Sequence, residues 1–229
     1  DPKNHFKDRT VIKWKGLKNE MHLKNILKGK YFRKTLDECV KLPPYVYKDI
    51  FVEELDLPDL LAEFENFQSA EGNHSVRSEV KKEAALTMAP ITAQYVKDLW
   101  ETDCGPIIIF SDHVDSCRHI ADVLDIPFVD KTVSTEKRQL LQEAFQRGEL
   151  KGISATIETF STGYDLTASN NLVMNDPSWV PGRNDQAFAR LRRIGQTKTS
   201  YIHRMLGSYQ AEKIMEALDE KRAVIKRAT

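Results

Sequence analysis

The chain has 229 residues, enough for one large domain or one domain plus an extension. Its 34 Lys and Arg offset its 34 Asp and Glu, but residues 1–41 hold 12 basic against 5 acidic side chains and residues 49–84 hold 3 against 10. The basic lead suits nucleic acid and the acidic belt suits water or protein, and with no apolar run of membrane-span length and no signal-peptide pattern a soluble protein is expected. Three cysteines without a Cys-x-x-Cys pair imply reduced thiols in an intracellular protein, in cytoplasm or nucleoid, or in a nucleus if eukaryotic. The first residue is Asp1, not Met, which suggests a piece of something longer.

In chain order, Leu17, Met21, Leu23, Leu27 and Tyr31 recur at helical spacing among lysines. Leu36-Asp37-Glu38-Cys39 has the look of a magnesium-holding Asp-Glu box, but the preceding Lys30 to Thr35 cannot form the buried strand such a box needs, so Asp37 and Glu38 read as a solvated face. Tyr45 to Glu54 alternates as a strand with Val46, Ile50 and Val52 inward. Pro58 opens a helix carrying Leu60, Leu61, Phe64 and Phe67. Residues 69–78 read as a loop and residues 79–102 as helix, with a break or kink at Pro90.

From Gly105 onward strand and helix alternate, the signature of a parallel α/β sheet. Expected strands are Pro106 to Phe110, Ile126 to Val129, Ile153 to Ile157, Leu172 to Asn175 and Ser200 to Arg204. Helices are expected over Ser134 to Arg147, near Gln186 and from Tyr209 to about Arg227, with Ser111 or Asp112 capping the helix after the first strand. The fold class is α/β: a mostly parallel sheet with helices on both faces, in RecA-like order. Residues 1–104 form a mainly helical lead or connecting segment, and residues 105–229 form the lobe.

Gln186 to Gln196 reads as a helix ended by Gly195 and capped by Asn184 or Asp185. Gln186, Arg190 and Arg193 share one face and Ala187, Leu191 and Ile194 another. Two guanidinium forks at fixed spacing suit phosphate oxygens; a solvated basic face is the plain alternative. Two other sets fail as sites. Ser111-Asp112-His113 has triad residue types, but adjacent residues point in different directions. His113, Cys117 and His119 lack a fourth ligand at zinc spacing, so no metal site is expected.

The segment Gln-Ala-Phe-Ala-Arg-Leu-Arg-Arg-Ile-Gly-Gln resembles motif VI of superfamily-2 helicases in its Swi/Snf-type form. Other landmarks fall in order: Phe32-Arg33-Lys34-Thr35 and Leu42-Pro43-Pro44 resemble the segment between the lobes, Ile107 to Ser111 motif IV, Ser161 to Ala168 motif V, and Asp176-Pro177-Ser178-Trp179 the step before motif VI. Asp130-Lys131-Thr132 stands where the family has Asp-Gly-Ser or Asp-Gly-Thr. The resemblance implies a second motor lobe of an ATP-dependent DNA helicase or translocase. In it Arg190 and Arg193 act on ATP; Gln186, Gly163 and Asp165 lie on the nucleotide side; and Ser111, Thr132, Ser161 and Thr162 meet the DNA backbone.

No Gly-x-x-x-x-Gly-Lys-Ser/Thr loop occurs. ATP and magnesium would therefore be held mainly by an N-terminal RecA-like lobe of the same protein, and this piece alone would be inactive. The partners implied are that lobe and duplex DNA, with no membrane. A non-catalytic RecA-like module that binds nucleic acid or a partner is the alternative.

Overall fold

A computed structural model describes residues 20–27, 29, 39–52, 74–160, 164–178 and 180–207. The elements are α1 (Glu20–Leu27), β1 (Tyr45–Phe51), α2 (His74–Glu101), β2 (Ile107–Ser111), α3 (Val114–Leu124), β3 (Phe128–Val129), α4 (Thr135–Gln146), β4 (Gly152–Thr156), α5 (Ile157–Phe160), β5 (Asn171–Asp176), α6 (Pro181–Phe188) and β6 (Ser200–Leu206). The expected helices over 58–67 and 209–227, the Phe32 to Thr35 landmark and the Asp37-Glu38 pair lie outside the described residues.

The six strands form one sheet in the order β1-β6-β5-β2-β4-β3, every neighbouring pair parallel. Parallel strands covered on both faces need apolar side chains in both directions, and β2 supplies them. Ile108 and Phe110 enter one core with Phe145, Leu172, Ala187 and Leu191; Ile107 and Ile109 enter the other with Met88, Ala93, Val96 and Ile120. The fold is the α/β RecA-like architecture expected from the alternating elements.

β1, from the lead segment, is hydrogen-bonded into this sheet, Tyr45 opposite Ser200 and Phe51 opposite Leu206. As an edge strand it keeps Val46 exposed instead of inward, while Ile50 and Val52 pack on the second core. α2 begins at His74, where a loop was expected, and continues through Pro90 without ending. Pro90 sits on the solvent side and Ala85, Met88, Ala89, Ala93 and Val96 form the buried stripe, so packing holds the helix despite the missing amide. His113, not Ser111 or Asp112, occupies the N-cap of α3.

Candidate nucleotide and nucleic-acid interface

The arginine segment is a short helix followed by a folded loop. Pro181 opens α6, Val180 is its N-cap, and the helix stops at Phe188. Asn184, expected as a cap, instead closes a local ring: its Oδ1 accepts from Ser178 N at 2.9 Å and its Nδ2 donates to Ser178 O at 2.9 Å. Beyond Phe188 the chain turns tightly, with Arg190 N donating to Ala187 O (3.1 Å), Leu191 N to Phe188 O (3.0 Å) and Gln196 N to Arg193 O (2.9 Å). Gly195 allows the last turn with φ +106°. The change from helix to loop splits the expected apolar stripe: Ala187 and Leu191 are buried, but Ile194 is 77% exposed. Gln186, on α6, is exposed and does not share a helical face with Arg190 and Arg193.

The loop holds its arginines in different settings. Arg190 is buried and its Nη1 donates to Tyr164 O at 3.4 Å. Burial, and next the neighbouring Arg193 charge, press its guanidinium below the ordinary range, against the pull of Asp165. It nevertheless stays charged near neutrality, as arginines do. Arg193 is partly exposed and ion-paired through Nη1 with the Asp165 carboxylate. Arg192, to which the sequence alone assigns no role, turns the other way. Its Nε donates to Pro43 O, its Nη2 to Leu42 O at 3.3 Å, and its guanidinium lies 5.0 Å from the Tyr45 ring centre.

Gln196 joins this loop to the one before β5. Its Nε2 donates to Ser169 O (2.8 Å), Leu191 O (3.1 Å) and Thr167 O (3.2 Å), while its Oε1 accepts from Lys198 N at 3.0 Å. Leu166 N donates to Arg190 O at 3.2 Å. Gln146, from α4, fastens the same stretch, donating to Thr167 Oγ1 (3.1 Å) and accepting from Ala168 N (2.7 Å). Residues 164–169 and 189–198 are thus one hydrogen-bonded unit, and Asp165, Arg190 and Arg193 come together on it. Ser161, Thr162, Gly163 and Trp179 lie outside the described residues.

A second polar cluster sits at the carboxyl ends of β2 and β5. The chain leaves β2 toward β3 and leaves β5 toward β6, in opposite directions, so these adjacent ends flank the crevice where open α/β sheets bind ligands. Ser111 is fully buried there, bonded to Asp176 and, at 2.6 Å, to Ser116 Oγ. In this geometry its hydroxyl serves the interior, not the surface expected for a backbone contact. Asp176 also meets His113 Nδ1 at 2.9 Å, and Lys81 Nζ lies 2.7 Å from Asp112 and 3.5 Å from Asp176. Desolvation alone would raise the Asp176 carboxyl, but the His113 bond, the Lys81 charge and the Ser111 hydroxyl hold it below the ordinary range. Because Ser111 bonds to the carboxylate and not to the imidazole, the cluster is not a nucleophilic triad.

Thr132 lies at the far end of the sheet, after β3. Its amide donates to Asp130 Oδ1 at 2.9 Å and its hydroxyl bonds to the same oxygen. Desolvation pushes the Asp130 carboxyl upward, but the two Thr132 bonds, the Arg118 charge and the Val133 amide together hold it below the ordinary range. His113, Cys117 and His119 do not assemble: among the described residues no group of three or more His, Cys, Asp or Glu could hold a metal ion. Nor, among them, is any helix long and apolar enough to cross a membrane.

Residues 91–195, which span the sheet centre and most of both clusters, match the family described as Helicase conserved C-terminal domain. That segment carries the pattern of a helicase C-terminal domain, and the proteins to which the chain is similar are of the Swi/Snf type. It is similar to the putative ATP-dependent helicase/translocase YwqA of Bacillus subtilis, at 29% identity over 124 residues, 52% of this chain and 13% of that protein. A Xenopus tropicalis protein, SWI/SNF-related matrix-associated actin-dependent regulator of chromatin subfamily A-like protein 1, is 30% identical over 146 residues, 58% of this chain and 16% of its own length. The Sulfolobus solfataricus SWI2/SNF2 ATPase core, solved in complex with double-stranded DNA, shares the fold with TM-score 0.62 at 22% identity; the match covers 89% of this chain and 50% of that one. The chain therefore spans about half of the archaeal core and a smaller part of the two longer relatives.

Proposed function

We propose that the chain is the second motor lobe of an ATP-dependent DNA translocase, in which Arg190 and Arg193 meet the phosphates of ATP held by a first lobe. The observation that carries this reading is the loop of residues 189–196. It keeps two guanidinium groups beside Asp165 at the rim of the sheet and is fixed through Gln196 to residues 167–169. Donors fixed before the reaction stabilise developing charge without reorganising during it. Arg190 is the rigid member and supplies a desolvated charge. Arg193 is the more exposed one, and it would exchange the Asp165 carboxylate for a phosphate oxygen as the lobes close. Gln186 and Gly163 join them on the nucleotide side by their match to the family's motifs.

The arginine and carboxamide donors suit an anionic nucleotide, whereas the described residues offer no carboxylate set for magnesium, whose neutralising charge would come with the first lobe. Closing on ATP and opening on release would move two DNA grips relative to each other. On this lobe the grip would run along Thr132, Ser161, Thr162 and the loop supported by buried Ser111. Such contacts fall mainly on phosphates, so binding is tolerant of sequence and weakens with salt.

The test is duplex-stimulated ATP hydrolysis by the protein carrying both lobes, beside this chain alone and beside the two-lobe protein with Arg193→Ala. Activity in the intact protein, its absence in the chain alone, and a loss of about 10³-fold in kcat with Arg193→Ala are expected. Undiminished turnover in the variant removes Arg193 from the chemistry. An intact protein without ATPase makes a binding module the better account.

A further inference from the structure

Arg192 stands between the two arginines proposed to meet ATP, yet its side chain reaches back about 150 residues in sequence. Its planar fork spans two consecutive carbonyls, those of Leu42 and Pro43, and it lies over the ring of Tyr45, the first residue of β1. Arg192 is 9% exposed, so the contact is largely shielded from water. The same short stretch is held once more where Ser200 N donates to Pro44 O at 3.1 Å, just ahead of the β1–β6 pairing. Pro43 and Pro44 have fixed φ and no amide hydrogen, so this stretch is stiff and its carbonyls are left to outside donors.

We propose that Arg192 is a positioning residue that clamps the Leu42–Tyr45 segment to the arginine loop, so that a displacement of that segment moves Arg190 and Arg193. Gln196 pins the other end of the loop to residues 167–169, and the loop thus hangs between two anchors. One anchor belongs to the lobe's interior. The other belongs to the stretch by which the lead segment enters the sheet. A lysine in this place could reach one carbonyl but could neither span two nor stack on Tyr45.

The clamp's role in turnover rests on the ATPase reading above; its mechanical part does not. In the two-lobe protein, Arg192→Ala is expected to lower kcat for duplex-stimulated ATP hydrolysis by about tenfold or more, because small misplacements of a catalytic group cost that much. KM for ATP should stay within about twofold, and Arg192→Lys should fall between wild type and Ala. Gly152→Ala, which crowds the distant β4 without touching the loop, serves as a control for lost stability and should leave kcat unchanged. Hydrogen exchange on this chain reads the clamp directly, with the Leu191 and Gln196 amides exchanging about tenfold faster in Arg192→Ala or, should that variant not fold, in Arg192→Lys. A kcat within about twofold of wild type for Arg192→Ala overturns the positioning role. Unchanged exchange in both variants overturns the clamp itself, and does so even if the wild-type protein has no ATPase.

Discussion

At Gly152, the first residue of β4, a single hydrogen in place of a methyl group decides whether the sheet closes. A Cβ there would stand 2.9 Å from Ile107 O and 3.2 Å from the Trp100 ring. The first neighbour is backbone within the β2–β4 ladder and cannot move without disturbing the pairing. Gly152→Ala is therefore expected to destabilise the chain by about 1–3 kcal/mol, as small-to-large changes in packed cores do. A urea titration reads this as a lower midpoint with an unchanged slope. An unchanged midpoint would mean that Trp100 and the ladder yield freely. Arg192 shows the opposite case at this scale. It sits within the stretch that resembles motif VI, but its partners are backbone carbonyls far back in the chain, so nothing local marks its task.

Among the elements, those defined by their own residues are legible in the sequence. β2 and β5 are β-branched or apolar runs, and α4 starts where Ser134 accepts from Lys137 N. The arginine segment reads as one helix because its spacing is helical through Ile194. What stops that helix at Phe188 is tertiary: Arg190 and Gln196 find their partners in the loop before β5, and a continuous helix would carry them away. The unbroken run of α2 through Pro90 escapes the sequence for a similar reason, since its hold on the sheet is not visible in its own residues. Thr92 Oγ1 donates to Asn175 Oδ1 at 2.7 Å, and Asn175 Nδ2 donates to Ala85 O at 3.0 Å, all buried. Asn175→Leu would leave the Thr92 hydroxyl buried without that acceptor, at a cost of about 1–3 kcal/mol. Adding Thr92→Val should restore part of the loss, because removing both partners costs less than stranding one. A double variant weaker than the sum of the two single ones would sink that account.

At the scale of the molecule, strand and helix alternation after Gly105 foretells the parallel sheet, whereas the pairing of β1 with β6 stays hidden because it joins residues 45–51 to 200–206. That long-range closure also buries His203. Tyr95 OH lies 2.7 Å from its Nδ1 and Asn171 Oδ1 lies 3.2 Å from its Nε2, a pair of partners that suits one neutral tautomer. Burial, and next the Lys48 charge, push its pKa down to about 4, from 6.5 in an unfolded chain. A folded pKa below the unfolded one means that the unfolded chain takes up the proton first as pH falls. His203 thus contributes its full share of stability above pH 6.5, loses it between 6.5 and about 4, and is level below that. The loss comes to about 3 kcal/mol at most. Asp176 acts later: its carboxyl is held below 3.8, so its share is present above that pH and goes as pH falls through its folded value. Urea midpoints from about pH 7.5 to 4.5 should therefore drop along a slope set largely by His203. His203→Gln, though less stable near neutral pH for want of packing, should flatten it. Parallel curves for the two proteins would show that the imidazole takes up its proton without leaving the fold, and that the sheet can admit charge at its β5–β6 seam.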